Sequence, residues 1–302
     1  MPAAPPLADL LSPAALHQIG NLAMVAKIAV NGFLSGLHRS ITHGQGGEFL
    51  QYRRYYPGDD LKYVDWKVFA KREKFYTKMY REETNMDLTI VVDASASMDY
   101  QGTSAPCGKW RYASMLAACL AYLATRQGDN VGLYLYNQEF TAGIAPNRRG
   151  GNLERILAAL QRQTPTGPAD HRAIWQSLTS RLRNRGIILF LSDFLEGENI
   201  LPPLLRKLPP TRHECLAWQI LDPDEIDFPF SESTEFIGRE EGDRLRTYPE
   251  YVREEYQKRM NAFLKSLSES FRDSPTDYRL LRSSDSLADS LSAYLRQRER
   301  LH

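Results

Sequence analysis

The segment Leu88-Thr89-Ile90-Val91-Val92-Asp93 constrains the fold of this chain more than any other. It is a short β-branched run with no polar face, the pattern of a strand covered on both sides. Similar runs recur at Val131 to Tyr136, Gly186 to Leu191 and His213 to Leu221. Between them apolar residues fall at helical spacing. Tyr112, Met115, Leu116, Cys119, Leu120 and Leu123 share one face; Leu153, Ile156, Leu157 and Leu160 share another, behind Asn152 as N-cap; Ile174, Trp175, Leu178 and Leu182 mark a third helix and Leu201 to Leu208 a fourth. Strands alternating with helices imply βαβ crossovers. The expected fold is therefore α/β, a mostly parallel sheet with helices on both faces.

The flanks differ in character. Leu7 to about Leu37 reads as one or two helices broken at Ser12-Pro13 and Gly20-Asn21, and Ile41 to Gly47 as a flexible connector. A basic and aromatic stretch follows, with a turn at Pro57-Gly58-Asp59-Asp60 and strand-like alternation from Phe75 to Tyr80. After Leu221, Thr234 to Tyr248 reads as a hairpin turning at Glu241-Gly242-Asp243. A helix from Tyr251 to about Phe271, a short strand from Tyr278 to Leu281 and a helix from Ser286 to Arg300 complete the chain. The last helix, with Arg296, Arg298 and Arg300, reads as a solvated end matched to the helix dipole. The expected organisation is an N-terminal helical segment (1–43), a basic, aromatic segment packing on the core (44–84), the α/β domain (85–222) and a C-terminal α+β extension (223–302).

Bulk properties narrow the function. With 38 basic and 37 acidic residues the net charge is +1, so no bulk field favours nucleic acid or an anionic membrane. Three scattered cysteines, Cys107, Cys119 and Cys215, fit free thiols in a reducing compartment. The N-terminus lacks the basic start and apolar run of a signal peptide, and the apolar stretch from Leu22 to Val30 is too short to span a bilayer. The expected location is cytoplasmic. Arg53, Arg54, Tyr55, Lys62, Trp66 and Lys67 interleave charge with aromatics, but Asp59, Asp60, Asp65 and Glu73 offset them. A structural role for Arg54, Asp59, Asp60, Asp65 and Trp66, through an Arg54 carboxylate pair and a Trp66 anchor, ranks above partner contact, and both above nucleic-acid binding.

Chemistry concentrates where strands end, the edge at which open α/β sheets place ligands. Asp93 closes one strand and begins D-x-S-x-S with Ser95 and Ser97; Asp193 follows another. These are hard oxygen donors of the kind Mg²⁺ takes, and two carboxylates with two hydroxyls leave positions for water or a partner's carboxylate. Gly102 to Trp110 fails as a phosphate loop, because five residues rather than four separate Gly102 from Gly108 and Trp110 stands at the Ser/Thr position. A Ser95 nucleophile with His171 as its base is the weakest reading of these residues, since six scattered histidines make such a pair easy to compose.

Asp93-Ala94-Ser95-Ala96-Ser97-Met98 resembles the metal-ion-dependent adhesion motif of von Willebrand factor A domains. Upstream, Gly47-Glu48-Phe49, Arg53-Arg54-Tyr55, Pro57-Gly58-Asp59-Asp60 and Val64-Asp65-Trp66-Lys67 stand in the order seen in the bacterial domain of unknown function 58 family. The resemblance implies a von Willebrand factor A-like core, no enzymatic activity, and work as an adaptor or co-chaperone beside a MoxR-type AAA+ ATPase. It also implies a threonine ligand where, aligned on Gly167-Pro168, this chain has Ala169; Thr166 or Asp170 would have to substitute. The resulting expectation is a protein-interaction module docking at Asp93, Ser95, Ser97 and Asp193 with Mg²⁺ between. The alternatives are a metal-dependent phosphoesterase on the same carboxylates and a metal-free structural interaction protein.

Overall fold

The computed structural model describes residues 12–41, 52–54, 76–78, 86–182, 184–195, 200–205, 213–239, 243–272, 274 and 276–300. The chain forms two compact units, one of Met1–Phe33 with Asn85–His302 and one of Leu34–Thr84. In chain order the elements are α1 (Pro13–His17), α2 (Leu22–Ile41), β1 (Tyr52–Arg54), β2 (Tyr76–Lys78), β3 (Asp87–Asp93), α3 (Lys109–Arg126), β4 (Asn130–Tyr136), β5 (Phe140–Asn147) and α4 (Asn152–Arg162). Then come α5 (His171–Thr179), β6 (Gly186–Ser192), α6 (Leu201–Leu205), β7 (His213–Leu221), α7 (Pro223–Asp227), β8 (Thr234–Ile237), β9 (Arg244–Thr247), α8 (Pro249–Arg272), β10 (Thr276–Arg282) and α9 (Leu287–Arg300). Within the smaller unit β1 pairs antiparallel with β2, Arg54 opposite Tyr76.

The larger unit is built on a six-stranded sheet of order β10-β7-β6-β3-β4-β5. The pairs from β10 to β4 are parallel and only β5 runs antiparallel. The fold is α/β, as the strand runs imply, and von Willebrand factor A-like, as the resemblance implies. All seven residues of β3 and of β6 are buried, which accounts for their unbroken apolar pattern. On one face Val91, Tyr134, Tyr136, Ile188, Phe190 and Ala217 pack with Ile174, Trp175 and Leu178 of α5 and Leu267 and Phe271 of α8. Helix α3, buried along most of its length, packs on β3 and β4 and is flanked by α4 and α9. The order in which strands are added reverses beside β3. The chain leaves β3 for β4 and β5, then returns to β6 on the other side. The ends of β3 and β6 thus flank a topological switch point, where open α/β sheets leave a crevice.

Three features depart from the pattern. Strand β5 gives no strand signal, because Pro146 and Gly143 lie within it and only Ile144 is buried; a proline is tolerated at this sheet edge, where its missing N–H costs no ladder bond. Asn152 is not the N-cap of α4. Gly151, at φ 82°, holds that position, and the buried Asn152 amide instead donates to Val131 O (2.8 Å) and Asn147 O (2.9 Å) across the irregular β4–β5 pairing. Arg298 is not a solvated helix end, since its guanidinium forms a two-pronged pair with the buried Asp129 carboxylate at 2.8 and 3.0 Å.

The stretch after Leu221 contributes to the same sheet. Strand β10 pairs with β7 along Thr276 to Arg282, with Tyr278 opposite Ala217. Strands β8 and β9 form the antiparallel pair read from the sequence; residues 241 and 242 of its expected turn, like most of the 42–47 connector, lie outside the described residues.

Asn152→Ala leaves the buried Val131 carbonyl and the part-buried Asn147 carbonyl without their donor, so it should cost about 1–3 kcal/mol. A lowered Tm together with faster amide exchange in β5 than in β3 would confirm that the side chain stitches this edge.

Candidate functional site

The rim at the switch point is assembled from five elements. Strand β3 ends at Asp93, and the chain turns at once through Ser95 into a 3₁₀ turn, Ala96–Asp99. The turn is anchored by backbone bonds from Ala94 N to Tyr136 O (2.6 Å), Ala96 N to Gly167 O (2.7 Å) and Thr166 N to Ala94 O (2.9 Å). Asp93 and Ser95 are fully buried and Ser97 is half-buried. Asp93 Oδ1 accepts from the Ser95 N–H at 2.8 Å, and its Oδ2 accepts from Ser192 Oγ at 2.6 Å. The Ser95 and Ser97 hydroxyls lie 3.1 Å apart.

Asp193 follows β6 directly and is buried beside Asp93. Its orientation is fixed by Phe194, whose φ of 54° is the left-handed region that a bulky residue enters only when packing over-determines it. Here Phe194 is fully buried against the His171 and Phe271 rings, and its N–H donates to Ser192 Oγ at 3.0 Å. A polar relay supports the same turn. Tyr278 Oη donates to Gln219 Oε1 (2.6 Å), and Gln219 Nε2 donates to the Asp193 carbonyl (2.7 Å).

The structure therefore brings Asp93, Ser95, Ser97 and Asp193 to one rim. It adds a residue that the sequence reading considered only as part of a failed phosphate loop. Lys109, the first residue of α3, is fully buried, and its ammonium donates to Asp193 Oδ2 (2.9 Å) and Glu225 Oε1 (2.6 Å). Glu225 in turn accepts from the Asp222 N–H (2.8 Å) through Oε2, closing a capping box at the start of α7. Asp222 and Asp224 grip the preceding loop by accepting from Gly102 N (3.0 Å) and Thr103 N (2.7 Å). A Cβ on Gly102 would meet the Asp224 and Asp222 carboxylates at 2.4 and 2.5 Å, so only glycine fits there.

The sequence carried signals for both additions. A lysine in a helix's first turn with no acid beside it stands against the macrodipole, and a side chain so placed needs an anionic partner. Asp222-Pro223-Asp224-Glu225 is a legible capping box with proline at N1.

The two aspartates are opposed electrostatically. Burial and the charge of Asp193 push the Asp93 carboxyl up, only partly offset by His171 and by hydrogen bonds from Ser192 and Ser95. Burial would raise Asp193 too, but the Lys109 charge and hydrogen bond, with bonds from Ser97 and the Leu195 N–H, hold it below the usual carboxylate range. Lys109 is likewise carried above its ordinary value by Asp193 and Glu225 against its own desolvation.

The remaining candidates take other places. Thr166 is exposed, and its backbone serves the Ala94 and Asn137 contacts. Asp170 caps α5, its Oδ1 accepting from Ala173 N at 2.9 Å. Ala169 packs against the core. His171 Nδ1 faces Tyr136 Oη at 3.1 Å, whereas Ser95 Oγ lies 3.1 Å from Ser97 Oγ. Arg54 lies in β1; its side chain and Asp59, Asp60, Asp65 and Trp66 lie outside the described residues.

As it stands, this donor set does not fit a resident Mg²⁺. A cation of the chain itself, the Lys109 ammonium, already sits on Asp193 Oδ2, and the two serine hydroxyls bond each other. The Ala169 side chain adds no oxygen to this set, so water or a partner would have to supply the rest of an octahedral shell. Among the described residues no group of three or more His, Cys, Asp or Glu side chains is placed to hold a metal ion.

The family described as Protein of unknown function DUF58 matches residues 51–263, more than half of the chain. The chain belongs to the DUF58 family. An uncharacterized protein from Mycobacterium tuberculosis is 29% identical over 225 residues, covering 73% of this chain and 69% of that protein. Among solved structures, the conserved hypothetical protein BatB from Bacteroides thetaiotaomicron superposes with a TM-score of 0.50 at 12% identity, covering 71% of this chain and 99% of that one. The SpRpn10 VWA domain superposes with a TM-score of 0.43 at 12% identity, covering 70% and 95%. The DUF58 match ends at residue 263, before β10.

Two substitutions separate the carboxylates. A carboxyl held above its unfolded value of ~3.9 stabilises the fold at low pH, and that contribution is lost as pH rises through the folded value. One held below it stabilises above ~3.9 and is lost as pH falls through the depressed value. Asp93→Asn should therefore match or exceed the wild-type Tm at neutral pH. Asp193→Ala, which strips a buried ammonium of one partner, should cost about 3 kcal/mol. Thermal melts of both variants across the acid-to-neutral range check the contrast.

Proposed function

We propose that this DUF58 protein is a non-catalytic protein-interaction module, an adaptor or co-chaperone for a MoxR-type AAA+ ATPase in the cytoplasm, and that it docks through the rim at the ends of β3 and β6. The carrying observation is the layering of that rim. A buried, hydrogen-bonded polar floor of Asp93, Ser95 and Asp193 underlies an outer layer of exposed side chains, Asp99, Thr166 and Leu195, the last 38% exposed. The floor holds the outer loops in one shape, and a preorganised surface loses less conformational freedom on binding. An exposed leucine beside polar groups at a switch-point crevice is the composition of a contact patch.

The partner class is what the resemblance noted in the sequence implies. A von Willebrand factor A-like fold hosts many roles, so the site argument rests on the rim rather than on the fold. Among the described residues no helix is long and apolar enough to cross a membrane. The phosphoesterase alternative needs a metal and a base at Asp93 and Asp193, and both carboxylates are instead engaged by donors that belong to the fold.

The test is titration calorimetry of the full chain against the purified MoxR-type ATPase of the same organism, with ATPase rate as a second readout. Thr166→Arg and Leu195→Glu, both at exposed positions, should leave the circular dichroism unchanged and weaken binding about tenfold or more, equal to about 1.4 kcal/mol. Undiminished affinity in both variants would remove the rim from the interface; no binding by wild type would remove the partner.

A further inference from the structure

Lys109 is the feature of the rim that the docking reading leaves unused. Its side chain is fully buried, it begins a helix where a cation is unfavourable, and it ends between two carboxylates from different parts of the chain. A group so placed is costly unless the site needs positive charge there. Two buried aspartates side by side create that need.

We infer that Lys109 is the resident cation of this rim, its ammonium neutralising Asp193 from the side of Glu225 in the role a divalent ion would otherwise fill, so that the rim is assembled without metal. The geometry supports a substitution rather than an addition. Asp193 gives one oxygen to Lys109 and the other to the Leu195 N–H at 3.3 Å. The ammonium also reaches Glu225, which ties α7 to the rim, a link across the end of β7 that an ion held by Asp93, Ser95, Ser97 and Asp193 alone would not make. Ala169, where the resemblance to the adhesion motif implies a threonine, is part of the apolar packing, so its side chain offers an ion no hydroxyl. This inference concerns the isolated chain and stands whether or not the rim docks a partner.

The experiment uses the full chain stripped with a chelator, followed by calorimetry, Mn²⁺ paramagnetic resonance and thermal melts with Mg²⁺ or Mn²⁺ added at millimolar concentration. Wild type should bind neither ion at the rim and show no shift in Tm. Lys109→Met and Lys109→Gln remove the ammonium and leave Asp193 unneutralised. Either variant that folds should gain a rise in Tm of several degrees with Mn²⁺, and adding Asp193→Asn to it should abolish the gain. Stoichiometric Mg²⁺ or Mn²⁺ binding by wild type that Asp93→Asn eliminates would overturn the inference. So would a folded Lys109 variant indifferent to metal. Should neither variant fold, the wild-type titration alone decides.

Discussion

The ammonium of Lys109, held between Asp193 and Glu225 with no access to water, is the interaction on which the rest of the rim depends. A buried charge with a missing partner is among the more destabilising arrangements a protein can hold, and each partner here is delivered by a different element. Helix α3 supplies the lysine, the turn after β6 supplies one carboxylate, and α7 supplies the other. The pairing therefore specifies how three separate segments converge. Through the α7 capping box it also specifies where Asp222 and Asp224 stand to hold the loop at Gly102 and Thr103.

A second constraint is steric. Phe194 occupies left-handed backbone immediately after Asp193, and Phe228 does so at the end of α7. Both are buried phenylalanines in aromatic clusters, Phe194 with His171 and Phe271, Phe228 with Phe230, Phe236 and Tyr256. Strain at two turns bordering the rim is thus offset by aromatic burial on the adjoining elements. The face that looks purely structural sets the direction in which the polar groups point.

Much of this was legible in the residues. The parallel core could be read because β3 and β6 are buried throughout, and fully buried strands leave an unmistakable apolar run. Asp93, Ser95, Ser97 and Asp193 could be placed together because strand ends gather at one edge of an open sheet. What escaped lacked local periodicity or needed distant partners. Strand β5, with Pro146 and Gly143, carries no strand pattern, and Asn152 resembles an N-cap until the β4–β5 irregularity it bridges is known. Lys109 stands inside a stretch that resembles a phosphate loop, and its role shows only against the cost of a cation at a helix start. Arg298 looked like a solvated terminus because nothing near it in sequence announces Asp129, a buried partner 169 residues away.

Strand β10 has a consequence for how the molecule is made. It lies at the edge of the sheet beside β7, yet the 24-residue helix α8 and the β8–β9 pair are synthesised between them. On the ribosome the residues of β3, β4, β6 and β7 are all synthesised before Tyr278. Until then the long edge of β7 lacks its neighbour, and the Gln219 amide beneath Asp193 lacks the phenol that orients it. The final polish of the rim is thus a late, long-range event, and the exposed edge of β7 is the surface through which an incompletely translated chain would associate with others.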